Sequence, residues 1–247
     1  MDMTTETIEK IQELSLEAAG EKIQIIDGQN YYIDGDGDLR LIVPKDLSDE
    51  SIGLRTLTGL IALVKNMDER KAQRLFIRVE SPTQVNVFTA LDSYGRREWL
   101  AKSDASTPDT VFGYFIDAEQ MNIMLQSQFV QTNDRNIILK VIGNLKEENV
   151  RKASDDGVSQ SVTVQSGVAN VSEVKVPNPV ELAPYRTFLE VDQPVSKFIF
   201  RMREGMQGAI FDADGGAWKI DAMNSIKEYL EDKFSDEIES GHVVVVA

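Results

Sequence analysis

Cysteine is absent and histidine occurs once, as His242, in a chain of 247 residues. The missing thiols exclude disulfides, cysteine nucleophiles and thiolate metal sites, and they fit a reducing cytosol. A single histidine allows a zinc site only with carboxylate help and ties any Ser-His-Asp triad to His242. No G-x-S-x-G, G-x-x-x-x-G-K-[ST] or G-x-G-x-x-G motif occurs. The sequence therefore predicts no cofactor and favours a non-enzymatic protein.

The chain also lacks long apolar runs, and it has too few basic residues to balance its acidic ones. No run approaches the roughly 20 residues of a membrane helix, and no apolar segment after the first methionine predicts a signal peptide. Lys and Arg number 26 against 41 Asp and Glu, a formal net charge of −15. Because a duplex binder must neutralise phosphates with Lys and Arg, this charge disfavours duplex nucleic acid as a partner. We expect a cytoplasmic protein without membrane contact.

Hydrophobic residues make up 42% of the chain, enough for a sizeable core. Apolar residues at helical spacing predict about five helices. One is capped by Ser48 and buries Leu57, Leu60, Ile61 and Val64, and the others cover residues 5–19, 117–129, 133–148 and 221–234. Alternating segments across residues 72–103 predict a three-strand antiparallel meander. Strands cluster instead of alternating strictly with helices, so the sequence predicts an α+β fold with antiparallel sheets.

The polar segment KEENVRKASDDG, residues 146–157, is the predicted domain boundary. It separates an N-terminal α+β region, residues 1–147, from a β-rich region, residues 158–247, that ends in a helix and a strand. One continuous domain is the alternative. The last strand is entirely apolar, and we predict an oligomer interface at Val243, Val244, Val245 and Val246.

The segment YYIDGDGDLRLI, residues 31–42, places three aspartates between glycines. Counted from Asp34, the spacing of Asp34, Asp36 and Asp38 matches the first three ligands of an EF-hand, but its sixth position is Leu39 and its twelfth is Lys45. Asp-Gly pairs favour tight turns, because glycine adopts positive φ without steric cost. The sequence therefore predicts a turn, with a nonstandard cation site at the three aspartates as the alternative.

A second aspartate-glycine segment is FDADGGAW, residues 211–218. Asp212 and Asp214 precede Gly215 and Gly216. By the same reasoning we predict a turn between two strands.

Basic and aromatic residues cluster in SYGRREW, which contains Arg96, Arg97 and Trp99. Guanidinium groups beside stacked rings are typical of phosphate or single-strand binders. The favoured alternative is an exposed hairpin with Trp99 packed inward, because the whole chain is acidic. Arg201 and Arg203 alternate in the strand KFIFRMR, so both lie on one face, as a solvated face or an anion contact.

Several longer segments resemble an uncharacterised family of tailed-phage and prophage proteins from Gram-positive hosts, related to the YfdQ-like prophage family. The resemblance is carried by TLTGLIALVKN, LFIRVESPTQVNVFTAL, MLQSQFV, DDGVSQSVTVQSGVANVSEVKVPNPVELAPYRTFLEV and FRMREG…FDADGGAWKIDAMNSIKEYLE. It covers most of the chain from the second predicted helix onward. It implies a protein of the host bacterial cytoplasm, in an early-gene context near recombination or replication, and it brings no catalytic residue.

Three functions remain open. The first is a non-enzymatic phage or prophage accessory protein that self-assembles into a homo-oligomer. The second is an anti-host-defence binding module, either an acidic inhibitor of a host or phage protein or a small-ligand sponge. It predicts a pocket near Arg96, Arg97, Arg201 or Arg203, or an acidic surface that matches a basic host protein. The third is a metal-dependent hydrolase that uses Asp34, Asp36, Asp212 or Asp214.

Overall fold

The computed structural model describes residues 10–11, 23–45, 47–67, 73–143, 154–155, 160–166, 170–203 and 205–247. The chain divides into two compact units, Met1–Leu47 with Ser93–Gly95, and Ser48–Asp92 with Arg96–Ala247. The boundary predicted at residues 146–157 lies outside the described residues, apart from Ser154–Asp155. So does the helix predicted at residues 5–19, apart from Lys10 and Ile11, which are helical.

The smaller unit contains a three-stranded antiparallel sheet of β1 (Ile23–Ile26), β2 (Gln29–Ile33) and β3 (Leu39–Leu41). Asp27 and Gly28 connect β1 to β2 with positive φ at both positions, 51° and 79°. Two successive positive φ angles are typical of the turns that match the twist of a hairpin. Strand, Asp-Gly pair and strand therefore form an antiparallel hairpin here.

The larger unit is built around a five-stranded mixed sheet in the order β15-β5-β6-β7-β4. Its strands are β4 (Ile52–Leu54), β5 (Leu75–Ser81), β6 (Gln84–Thr89), β7 (Trp99–Asp104) and β15 (Val243–Val246). The central strands β5, β6 and β7 form the antiparallel meander that the sequence predicts. The edge strands β4 and β15 run parallel to β7 and β5.

One face of this sheet carries the main core. The helices α1 (Leu57–Lys65) and α4 (Trp218–Lys233) pack on it, and a short helix α5 (Ser235–Glu239) precedes β15. Leu75 and Ile77 on β5, with Leu60 on α1 and Leu230 on α4, are fully buried there. Side chains alternate along a strand, so the residues between them lie on the opposite face. We call that opposite face the outer face; it carries Phe76, Arg78, Asn86, Phe88, Trp99 and Lys102.

A second core lies between a four-stranded antiparallel sheet and two helices. The strands are β12 (Val180–Leu182), β13 (Ser196–Arg203), β14 (Gln207–Asp212) and β8 (Ile116–Asp117), and the helices are α2 (Ala118–Gln128) and α3 (Asn133–Gly143). Leu125, Ile138 and Phe198 meet there. A further antiparallel sheet joins β9 (Ser154–Asp155), β10 (Gln160–Ser166) and β11 (Asn170–Val176). The fold is α+β, as the sequence predicts, and the described residues contain the five helices α1 to α5 in addition to the helical Lys10 and Ile11.

Two local predictions are wrong. Helix α1 begins at Leu57 and is capped by the Thr56 hydroxyl, which accepts from the Gly59 N–H, so Ser48 does not cap it. Ser48 instead donates its N–H to Glu98 at 3.0 Å. The segment from Asp212 to Ala217 connects β14 to helix α4 and does not join two strands. The Asp214 carboxylate accepts N–H groups at the start of helix α4, which favours a helix over a second strand after this turn.

Candidate binding surfaces

Three aromatic side chains form a row across the outer face. Phe76 pairs with Phe88 across β5 and β6, and Phe88 pairs with Trp99 across β6 and β7. The ring centroids of Phe76 and Phe88 are 5.6 Å apart, and those of Phe88 and Trp99 are 4.9 Å apart. Phe88 is 8% exposed, whereas Trp99 is 44% exposed. We call Phe76, Phe88 and Trp99 the aromatic row.

Two guanidinium groups lie against this row. Arg97 lies 5.4 Å from the ring centroid of Phe76 and 5.3 Å from that of Phe88. Arg78 lies 5.8 Å from the ring centroid of Phe88 and 5.6 Å from that of Trp99. These distances are within the range of cation–π attraction. The aromatic row is therefore electropositive at its surface although its rings are apolar.

A polar row runs beside the aromatic row, one step further along the strands. Arg78, Asn86 and Lys102 are direct cross-strand partners on β5, β6 and β7. Arg78 pairs with the Glu80 carboxylate, and Lys102 pairs with Asp104 at 3.1 Å. We call Arg78, Asn86 and Lys102 the polar row. Phe88 and Asn86 are each 8% exposed, so the groups that the outer face offers to a ligand are chiefly the Trp99 ring and the cations of Arg78 and Lys102.

Of the five arginine and tryptophan residues singled out from the sequence, Arg97 and Trp99 meet at this surface. Trp99 points to the outer face, so its predicted inward packing is wrong; the bulge between β6 and β7 and the core-facing Leu100 place it there. Arg96 instead closes a turn, with its Nη2 2.7 Å from Asp92. Arg201 and Arg203 lie on β13, in the other sheet. The Arg203 guanidinium lies 4.3 Å from the Phe115 ring centroid.

A cavity of about 550 Å³ lies at the start of helix α4. Arg186, which the sequence pattern did not single out, supplies its central cation and is only 11% exposed. Its guanidinium stacks on Trp218 at 3.8 Å from the ring centroid and donates to the Ser196 hydroxyl. The remaining lining residues are Phe112, Asp212, Asp214, Gly215, Gly216 and Lys219. Within the described residues, the Arg186 Nε–H has no acceptor.

The two aspartates of this cavity have different roles. Asp214 accepts the N–H groups of Gly216 at 2.9 Å and Trp218 at 3.3 Å, so its carboxylate closes the helix start. Asp212 lies 3.6 Å from Arg186 Nη1. Burial raises the pKa of Asp212, against the opposing effect of Arg186. Burial also lowers the pKa of Arg186 to about 10. For Arg186, whose side chain is 11% exposed, desolvation outweighs the attraction to Asp212, whereas the Asp212 side chain is 49% exposed and its carboxylate stays partly hydrated.

The predicted turn around Asp34 is present, and its carboxylate organises it. Asp34 Oδ1 accepts the N–H groups of Asp36 and Asp38, each at 3.0 Å, and Oδ2 accepts from Arg40 Nε at 2.9 Å. The hydrogen bond from Arg40 lowers the pKa of Asp34. Over the part of the chain that the structure describes, no group of three or more His, Cys, Asp or Glu side chains is arranged to hold a metal ion.

The apolar strand β15 lies at an edge of the five-stranded sheet. It pairs with β5 through the register Val243–Leu75 to Val246–Arg78. Val243 is 1% exposed and Val245 is 9% exposed, because both face the core beneath α4. Among the described strands, none pairs with the other side of β15. The predicted interface residues therefore complete the chain's own sheet and leave one backbone edge open.

Comparisons with known proteins do not assign this chain to a family. No protein-family model, curated protein or solved structure matches it. Of the helices within the described ranges, none is both long and apolar enough to cross a membrane.

Proposed function

We propose that this chain is a non-enzymatic accessory protein of a phage or prophage that self-assembles in the host cytoplasm through strand β15. The single observation that supports assembly is the open edge of an uncharged strand at the side of the main sheet. The sequence resemblance to phage and prophage proteins supports the biological context. Adding a strand to such an edge is a common mode of protein association.

The direction of the backbone N–H and C=O groups of β15 indicates which of them can pair with a second strand. The Leu75 N–H donates to the His242 carbonyl oxygen at 2.8 Å. In a parallel pair, the backbone groups of successive residues point alternately to the two sides of the strand. The His242 carbonyl and the backbone groups of Val244 therefore face β5, whereas Val243 and Val245 direct theirs toward the open side; the His242 N–H donates to the Glu237 carbonyl at 2.9 Å. Association would satisfy these donors and acceptors with those of a second strand.

The distribution of charge favours a second copy of this chain as the partner at the open edge of β15. Natural sheet edges are commonly protected by lysine, proline or a bulge, and residues 243–247 contain no charged residue and no proline. A net charge of −15 makes two copies repel each other over most surfaces. At β15 two copies can approach with no like-charged side chains facing each other.

Native mass spectrometry of the purified protein tests this proposal. We expect a discrete oligomer without added ligand mass. A monomer at tens of micromolar protein would contradict assembly. A monomer that retains a small molecule would favour the second candidate instead.

The cavity around Arg186 supports that second candidate, a small-ligand binding module. Its volume of about 550 Å³ is within the range of small-molecule sites. Trp218 and Phe112 supply ring surfaces, and Lys219 supplies a cation at the rim. Thermal unfolding with adenosine monophosphate or inorganic phosphate tests it. A rise in Tm for the wild type that is absent in Lys219→Met is expected, and equal curves with and without either compound would contradict it.

For a metal-dependent hydrolase we propose no residues. Asp34 and Asp214 each use their carboxylates to close a turn or a helix start. Asp212 faces Arg186.

A further inference from the structure

We propose that the outer face of the five-stranded sheet binds single-stranded nucleic acid. Bases would stack on the aromatic row, and Arg97 with the cations of the polar row would contact phosphates. This inference concerns a different surface from β15 and does not rest on assembly.

The aromatic row offers the ring of Trp99 as its most exposed surface for stacking. Three rings lie on three adjacent antiparallel strands, each opposite its neighbour. Sheets that display aromatic side chains in this way stack two or three unpaired bases. Trp99 is the exposed end of the row, with 44% of its surface accessible, while Phe88 is held beneath the two guanidinium groups. A first base can therefore bind on Trp99 and on the guanidinium planes beside it.

The local charge of this face differs from that of the whole chain. Three cations, Arg78, Arg97 and Lys102, stand against two carboxylates, Glu80 and Asp104. The face is thus slightly positive in a protein of net charge −15. A few phosphate contacts are possible here, whereas a long track along a duplex would meet repulsion. This balance favours a short single strand that gains affinity mainly from stacking.

Arg78 carries an unused donor. Its Nη2 pairs with Glu80, and its Nε–H has no acceptor within the described residues. A donor without an acceptor in a half-buried group is costly. A phosphate oxygen that reached Arg78 would supply the missing acceptor once the side chain moved. Arg97 donates Nη1 to the Thr89 carbonyl at 3.1 Å and is held against the rings of Phe76 and Phe88, where its other N–H groups could contact a phosphate.

The test is fluorescence anisotropy with labelled oligo(dT) of about 15 nucleotides, a length set by the site sizes of small single-strand binders. We expect wild-type binding that an unlabelled duplex does not displace. Trp99→Ala should weaken binding by about 5- to 150-fold, the range for loss of one stacked base. Trp99→Phe should recover most of the loss. Oligo(U) in place of oligo(dT) distinguishes RNA from DNA.

The phosphate contact is tested by Arg97→Gln against the matched control Lys227→Gln. Lys227 lies on α4, on the other side of the sheet, and pairs with Glu231 at 2.8 Å, so both variants lose one positive charge. Arg97→Gln should weaken binding and reduce the salt slope by about 0.7, the value for one phosphate of a single strand. Lys227→Gln should change neither.

Four results would overturn the proposal. The first is a wild-type protein that binds neither oligonucleotide. The second is that Trp99→Ala and Arg97→Gln are both folded and both bind as tightly as the wild type. The third is that the control Lys227→Gln loses as much affinity as Arg97→Gln. The fourth is a Trp99→Ala variant that loses oligomer mass and keeps oligonucleotide binding, which would assign the outer face to a second copy of this chain.

Discussion

The guanidinium of Arg186 lies 3.8 Å from the ring centroid of Trp218, the closest cation–ring contact among the described residues. Arg186 belongs to the connection between β12 and β13, and Trp218 is the first residue of helix α4. This stack therefore joins a loop to the start of the helix that covers the main core. Other contacts of Arg186, among them those with Ser196 and Asp212, extend the same link to β13 and β14.

We expect Arg186→Ala to lower the free energy of unfolding by about 2 kcal/mol, because a desolvated cation–π contact and a charged hydrogen bond are lost together. These two losses add up to more than the expected value, but alanine also removes the desolvation cost of the buried Arg186 charge, which offsets part of the lost stability. For a chain of this size the midpoint of thermal unfolding should fall by roughly 4–8 °C. Urea unfolding followed by circular dichroism provides the measurement.

Two further variants separate stacking from charge at this position. Arg186→Lys keeps the charge and loses the planar group, so it should recover less than half of the lost stability. Lys219→Ala removes a cation at the rim of the same cavity and should be nearly neutral. Full recovery by lysine would contradict the importance of the stack.

The pKa of Asp212 gives a pH dependence of definite sign. Burial raises this pKa above its ordinary value of 3.8, so the native state binds the proton more tightly than the unfolded state. The ionised carboxylate therefore costs stability at neutral pH, and this cost disappears as the pH falls through the folded pKa. We expect Asp212→Asn to gain stability relative to the wild type as the pH rises from 3.8 to neutrality. A flat difference in unfolding free energy across that range would contradict this.

Asp34 should show the opposite sign. Its pKa is lowered, chiefly by the hydrogen bond from Arg40, so its contribution is present at neutral pH and is lost as the pH falls through the folded pKa. The local readout is the hydrogen exchange of the Asp36 and Asp38 amides, which both donate to this carboxylate. After correction for intrinsic exchange, their protection should decline toward acid in the wild type. In Asp34→Ala it should be low at every pH.

Helix α1 allows a direct comparison between the sequence prediction and the structure. Thr56 accepts the Gly59 N–H at 3.0 Å, so Thr56→Ala should lower the free energy of unfolding by about 1 kcal/mol. Ser48, the cap predicted from sequence, lies outside the helix, and its hydroxyl donates to the Glu50 carbonyl. Ser48→Ala should cost clearly less than Thr56→Ala in urea unfolding. The reverse order would mean that the helix begins nearer Ser48.

The meander and the helices that follow it could be predicted because local patterns determine them. Leu75 and Ile77 alternate with Phe76 and Arg78, a period that only a strand satisfies with one buried face. The helix predicted at residues 117–129 is observed at Ala118–Gln128 for the same reason, with Leu125 on its buried side. The failure at Ser48 has an equally local cause, since Ile52–Leu54 form strand β4 between Ser48 and the apolar stripe, and the helix begins only after Thr56.

The candidate surfaces were harder to predict because they depend on pairing between distant strands. Phe76 and Trp99 are 23 positions apart in the sequence and meet through Phe88 only once β5, β6 and β7 are in register. The alternation in LFIRV could have indicated Phe76 and Arg78, because both share the face opposite the buried leucine and isoleucine. Arg186 and Trp218 carried no such signal, since a loop residue meets a helix start through the tertiary fold alone.

A variant that removes a single backbone N–H group from β15 can separate the effect on assembly from the effect on folding. Val245→Pro removes an N–H on the open side of the strand and leaves the His242 and Val244 groups that face β5. Proline is tolerated in an edge strand at such a position. We expect the discrete oligomer of the wild type to shift to monomer in native mass spectrometry, while the circular dichroism spectrum is retained.

Val245→Ala is the matched control, because it truncates the same 9% exposed side chain and keeps the N–H. Both variants lose apolar burial against the core, so both should unfold at a somewhat lower urea concentration than the wild type. Only Val245→Pro should lose the oligomer, since only it lacks the outward donor. If the two variants assemble equally well, the edge of β15 is not the interface. If both dissociate, the buried side chain rather than the open backbone edge holds the copies together.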